Sequence, residues 1–248
     1  MDVKEKKHVI KSYLGLSALV IIFILVAISI MKYEVEGEKN MPFLLSKIMV
    51  ISTAEGVSKE EVQEGQKWNL DVMQDNDVYI TINKNEEYKK EDMIEKVILE
   101  NIKITKVPKK GTVKIYMPNS SAGKVYEFKQ EYEVIDRLEY NGAMQSNPKT
   151  LEIGNQGGMI QIRFANTYLG EYVSSNDDVI KHDGTLISKT DANLEDLQFS
   201  VNFDLIIKTK NESYKANINL DFPQGDIINE GTGTMTKDDV SNIIFKRI

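Results

Sequence analysis

The stretch Phe199–Phe222, FSVNFDLIIKTKNESYKANINLDF, decides the fold. Phe199, Val201, Phe203, Leu205 and Ile207 fall on one side of a two-residue period, with Gln198, Ser200, Asn202 and Asp204 on the other. After a loop at 209–212, Tyr214, Ala216, Ile218, Leu220 and Phe222 repeat the pattern against Lys215, Asn217, Asn219 and Asp221. Successive strand side chains point to opposite faces, so both runs read as half-buried strands. Joined by so short a loop, they predict an antiparallel hairpin with one wet face and one face in a core.

Working upstream, the same period recurs in shorter pieces. Phe43–Ser52 is apolar at successive positions and predicts a strand covered on both sides. Trp68, Leu70 and Val72, then Val78, Ile80 and Ile82, predict a second hairpin, with Asp75-Asn76-Asp77 as its turn. Val97–Val107 and Val113–Met117 read as strands, and Tyr126, Phe128, Tyr132 and Val134 continue the alternation. Ile243–Ile248 reads as a last strand. Two helices interrupt the series: 59–64, opened by the capping box Ser58-Lys59-Glu60-Glu61, and a helix-capable charged stretch at 86–96. This mainly β pattern predicts an antiparallel β-sandwich over residues 43–248, as one large or two small sandwiches. Residues 142–150, with Gly142 and Pro148, are the candidate internal boundary.

Ahead of the β-rich region lies Tyr13–Met31, YLGLSALVIIFILVAISIM, 19 residues without a charge. At about 1.5 Å rise per residue such a helix spans roughly 28 Å, close to the ~30 Å hydrocarbon core of a bilayer. Residues 13–31 are therefore expected to form a transmembrane helix and 32–42 a stalk, with a strand beginning at Tyr33-Glu34-Val35. Residues 1–12 carry Lys4, Lys6, Lys7 and Lys11, whereas Glu34, Glu36 and Glu38 follow the helix. Lys-rich flanks stay cytoplasmic, so 1–12 is a cytoplasmic basic tail and 43–248 an extracytoplasmic domain at the plasma membrane. The competing reading is a cleaved signal peptide, but its apolar run is usually about 7–15 residues and Ala27-Ile28-Ser29 is only a passable cleavage site.

Composition removes whole classes of activity. The chain has no cysteine and two histidines, and its net charge is −7. An acidic balance without basic clusters argues against nucleic acid. Without Cys there is no thiolate nucleophile, and one histidine beyond the tail, His182, cannot furnish an ordinary zinc site. A triad through His182 and Asp183 lacks a G-x-S-x-G elbow. A Ser–Lys pair at Ser46-Lys47, or one using Ser52, has no second motif, and adjacent strand residues face opposite ways. Asp191-Ala192-Asn193-Leu194-Glu195-Asp196 places oxygens at alternate positions but lacks the Gly and distal Glu of a calcium loop. Ser175-Asn176-Asp177-Asp178 and Asp75-Asn76-Asp77 are weaker and read as solvated turns. Gly154, Gly157 and Gly158 precede a strand rather than a helix, so they are expected to make a tight turn or a bulge rather than a phosphate loop. No catalytic, cofactor-binding or metal-binding residue is assigned.

The runs Asn40-Met41-Pro42-Phe43 to Ser52-Thr53-Ala54-Glu55-Gly56 and Ile243-Ile244-Phe245-Lys246-Arg247 resemble uncharacterised single-pass membrane proteins of Gram-positive bacteria. That group has no assigned activity, so the resemblance implies class and location alone. The expected function is a membrane-tethered, outward-facing, non-enzymatic β-sandwich that binds another cell-envelope component or serves as an accessory subunit. It would contact the lipid bilayer through residues 13–31. The alternative is a cell-envelope enzyme or carbohydrate-binding module acting on wall polysaccharide.

Overall fold

The hairpin read from 199–222 lies at the centre of the domain. A computed structural model of the chain describes residues 3–36, 41–59, 69–119, 125–147, 149–174 and 185–248. In chain order these form α1 (Val3–Glu36), β1 (Phe43–Ser58), β2 (Asn69–Lys84), β3 (Ile94–Lys106), β4 (Thr112–Tyr116), β5 (Arg137–Gly142) and β6 (Leu151–Ile153). Then come β7 (Gly157–Val173), α2 (Thr185–Ser188), α3 (Leu194–Leu197), β8 (Phe199–Thr209), β9 (Ser213–Phe222), β10 (Thr232–Lys237) and β11 (Lys246–Arg247). One sheet has the order β10-β1-β2-β7-β4 and the other β11-β9-β8-β3-β5-β6. All pairings are antiparallel except β5 with β6.

The register of β8 on β9 sets Phe199 opposite Phe222 and Phe203 opposite Ile218, as the alternation requires. Their inner face meets β1, β2 and β7 of the other sheet. Phe164 of β7 packs on Phe203 at 6.4 Å and on Phe222 at 5.4 Å between ring centroids, fastening the sheets across the core. Each such ring contributes about 1.5–3 kcal/mol by burial, and the ring pairs about 0.5–1.5 kcal/mol more.

Both sheets draw strands from either side of residues 142–150, with β2 pairing β7 and β3 pairing β8. The segment therefore does not divide two sandwiches; it joins β5 to β6 within one. The predicted hairpin at Asp75-Asn76-Asp77 is also corrected. β2 runs unbroken from Asn69 to Lys84, paired on both sides, because β1 and β7 supply partners along its whole length. β1 continues to Ser58 and buries mainly one face rather than two. Its end at Ser58 displaces the start of the capping-box helix, while Glu60–Trp68 lie outside the described residues. No helix forms at 86–96: Asn85 turns the chain by accepting from the Glu87 amide, and β3 begins at Ile94. Tyr126–Val134 is not a strand but an irregular segment holding a short 3-10 turn, Gln130–Tyr132. The last strand is reduced to Lys246–Arg247.

A second, smaller core of Ala54, Leu70, Val72, Leu169, Leu186, Ile187, Leu197 and Ile227 closes one end of the sandwich beneath α2 and α3. Between the two cores each of three adjacent strands turns polar on its inner face. Ser52 lies between Val50 and Ala54, Gln74 and Asn76 between Val72 and Val78, and Asn166 between Phe164 and Leu169. Asn76 is the hub. Its Oδ1 accepts from Ser52 Oγ at 2.7 Å and Gln74 Nε2 at 3.1 Å, and its Nδ2 donates to the Phe164 carbonyl at 2.8 Å. A buried amide keeps its place when its hydrogen bonds are made, so this band fixes the strand register where apolar packing changes over.

Helix α1 replaces the strand expected at Tyr33-Glu34-Val35 and extends the helical stretch beyond both ends of 13–31. Side chains are described for residues 13–29, and every large apolar one is exposed, from Ile28 at 49% to Phe23 at 72%. Among the described residues no helix is long and apolar enough to cross a membrane.

Candidate functional site

The most unusual chemistry lies on the outer face of the five-stranded sheet. In β7, Ile160, Ile162 and Phe164 point inward, so Arg163 points out and stands opposite Asp77 of β2. Its Nε and Nη2 donate to the two oxygens of Asp77 at 2.5 and 2.7 Å, and its Nη1 donates to Asp75 Oδ2 at 2.7 Å. The paired geometry to Asp77 uses the planar fork of a guanidinium, which Lys could not reproduce.

Residues 125–134 cover this cluster. The Tyr126 ring lies 4.2 Å from Arg163 Cζ and the Phe128 ring 5.8 Å, both as cation–π contacts. Phe128 also meets Tyr116 of β4 edge-on at 5.2 Å. The cover is tied down at its base: Met117 N donates to the Tyr132 carbonyl, Val134 N to the Ile115 carbonyl, and Lys114 Nζ to Glu133 at 2.6 Å. Arg163 is left with 15% of its side chain exposed and Asp75 with 1%.

Burial works against the Arg163 charge, yet the hydrogen bond to Asp77 and the attraction of both carboxylates outweigh it and hold the guanidinium above its ordinary range. Asp75 behaves differently. Burial pushes its carboxyl up to about 7, against the pull of Arg163 and with Asp77 and Glu55 adding repulsion. The geometry gives the reason: Asp75 Oδ1 has no hydrogen-bond partner among the described residues, so its anion is only half satisfied. Burial also raises Tyr126, whose hydroxyl likewise lacks a partner there.

Among the described residues the candidates from the sequence do not converge here or elsewhere. Ser46 Oγ donates to the Thr81 carbonyl, Lys47 reaches Asp238, and Ser52 is buried on Asn76, so no Ser–Lys pair forms. In Asp191–Asp196, Asn193 and Asp196 cap α3 reciprocally, while Glu195 reaches Lys109. Gly154–Gly157 is the tight turn expected, closed from the Gly157 amide to the Gly154 carbonyl, and Gly157 takes φ +115°. His182, Asp183, Trp68 and Ser175–Asp178 lie outside the described residues. Among the described residues no three His, Asp or Glu side chains gather as metal ligands. A shallow groove of about 480 Å³ beside β5 and β6 is lined by Glu133, Asp136, Arg137, Glu139 and Lys149 among others. Arg137 there is engaged by Glu100 and Glu139.

The sequence reading missed the Arg163 cluster because it assigned Asp75-Asn76-Asp77 to solvent. The available signal was an Arg on the wet side of an alternating strand, GGMIQIRFANT, facing a run of carboxylates that the hairpin reading had removed from the sheet. Chemically the cluster is a closed clamp, since the Nε, Nη1 and Nη2 of Arg163 all donate to protein carboxylates. No family model, no curated protein and no solved structure matches the chain.

Proposed function

We propose that this chain is a membrane-tethered β-sandwich that faces outward and binds another protein of the cell envelope, without catalysing a reaction itself. The observation that carries the reading is α1. Its large apolar side chains over residues 13–29 are all exposed. A helix apolar all round needs an apolar surrounding, and the uncharged run continues in sequence to Met31. The lysines before it and the glutamates after it favour an inside N-terminus.

Connectivity then orients the sandwich. From Glu36 to Phe43 the chain can span at most about 25 Å. The end bearing Phe43, Lys84 and the Gly154–Gly157 turn is therefore the membrane-proximal one, and α2 and α3 close the distal end. A tether of this kind raises the effective concentration of the domain for membrane neighbours. Nε, Nη1 and Nη2 of Arg163 are all taken up by Asp75 and Asp77, which leaves the guanidinium closed to a substrate. A polysaccharide-binding face would present exposed rings, and among the described residues of the sandwich only Phe128 and Tyr168 are exposed aromatics.

The test is a crosslinking pull-down of tagged full-length protein from intact membranes. Reproducible recovery of one membrane protein is the expected result. Recovery of wall glycan in place of any protein overturns the reading.

A further inference from the structure

The clamp presents one guanidinium to two carboxylates. Both oxygens of Asp77 accept from the fork, through Nε and Nη2, and Asp75 is left with one bond from Nη1 and an oxygen that has no partner among the described residues. The groups facing this site come from every side. On β2 are Asp77 and Tyr79, on β7 Arg163, on β1 Glu55, and on the covering segment Tyr126. Tyr140 reaches the same region from β5, with its hydroxyl on the Gln161 backbone. Lys114, Tyr116 and Glu133 form a separate paired group at the base of the cover. Among the described residues Arg163 is thus the one cation facing Asp75. With Asp75 protonated the clamp is neutral; with Asp75 ionised it carries a buried excess negative charge.

We propose that Asp75 is a proton-operated catch for the segment Val125–Val134: protonated, it lets Tyr126 and Phe128 seat on Arg163, and ionised, it loosens them. The second carboxylate cancels the positive field that the ring faces bind, and the buried excess charge is relieved when water reaches it. Lifting the segment is the least disruptive way to admit water, because the rings of Tyr126 and Phe128 are what cover Arg163. The upward displacement of the Asp75 carboxyl to about 7 puts the catch near neutrality. The sign follows from linkage. The closed state binds the proton more tightly than the open state, so closure is favoured in acid and weakens as pH rises, levelling off above about 7.

The experiment is amide hydrogen exchange on the full-length protein from pH 5 to 8, corrected for the intrinsic rate, beside Asp75→Asn. The readouts are the Met117 and Val134 amides, which hold the cover down, against amides of β8 and β9. In the wild type, protection at Met117 and Val134 should fall by up to about tenfold per pH unit between 5 and 7, then level off. These amides should exchange faster than β8 and β9 throughout, marking a local opening. Asp75→Asn should remove the slope. A flat wild-type profile, an unchanged slope in Asp75→Asn, or exchange in step with β8 and β9 overturns the proposal. If Asp75→Asn does not fold, carbon-13 titration of the wild-type Asp75 carboxyl decides: a midpoint near 7 supports the catch, and one near 4 overturns it.

Discussion

Replacing Arg163 with Met keeps an unbranched chain of similar length on β7 and removes the charge. The substitution deletes three hydrogen bonds, two to Asp77 and one to Asp75. It strands two carboxylates whose side chains are 1% and 16% exposed, and it removes the cation under Tyr126 and Phe128. Breaking one side of a buried ion pair costs about 3–5 kcal/mol, more than the pair is worth against a neutral replacement. At pH 7.5 Arg163→Met should therefore lose about 3–5 kcal/mol, read as a fall in Tm of roughly 6–20 °C for a domain of this size. At pH 5 the loss should shrink, because stranded carboxylates take up protons and relieve the uncompensated charge. Restoring neutrality with Asp75→Asn and Asp77→Asn in the same chain should recover most of the loss. The assay is thermal and urea unfolding of the full-length protein followed by circular dichroism. A loss under about 1 kcal/mol at pH 7.5, or no recovery in the triple variant, refutes the reasoning that Arg163 is the buried charge holding both carboxylates.

Two further outcomes follow from other parts of the fold. Asn76→Ala removes the acceptor of Ser52 and Gln74 and the donor to the Phe164 carbonyl, so it should cost about 2–4 kcal/mol in urea unfolding. On the opposite sheet, the hydrogen bond from Lys96 holds Glu139 below the usual carboxylate range despite partial burial, with Arg137 adding to it. A lowered carboxylate contributes stability above its unfolded value and loses it as pH falls, so wild type and Lys96→Met should differ at neutral pH and converge in acid titration below about pH 4.

How much of this was legible in the sequence depends on how far away each residue's partner lies. The β8–β9 hairpin could be read because strict alternation over five positions per strand leaves one register that buries Phe203 against Ile218. Asp75-Asn76-Asp77 could not. These residue types favour turns, and what keeps them extended is Ser52, Phe164 and Arg163, up to 88 positions away. Tyr126 and Phe128 alternate like a strand for a different reason: both rings face one guanidinium, so the period reports a shared target rather than a sheet. The 142–150 break carries ordinary loop chemistry, and only the pairing of β2 with β7 shows that it lies inside one sandwich.

The central claim, a sandwich tethered by α1 and turned outward, is tested most directly by cysteine accessibility, since the natural chain has no cysteine to interfere. Lys4→Cys and Lys89→Cys, one in the basic tail and one at an exposed position of the β2–β3 loop, would each be treated with a membrane-impermeant maleimide. The account predicts labelling of the full-length Lys89→Cys protein in intact cells and of Lys4→Cys only after permeabilisation. Labelling of Lys89→Cys only after permeabilisation, or recovery of the full-length protein in the soluble fraction, would contradict it.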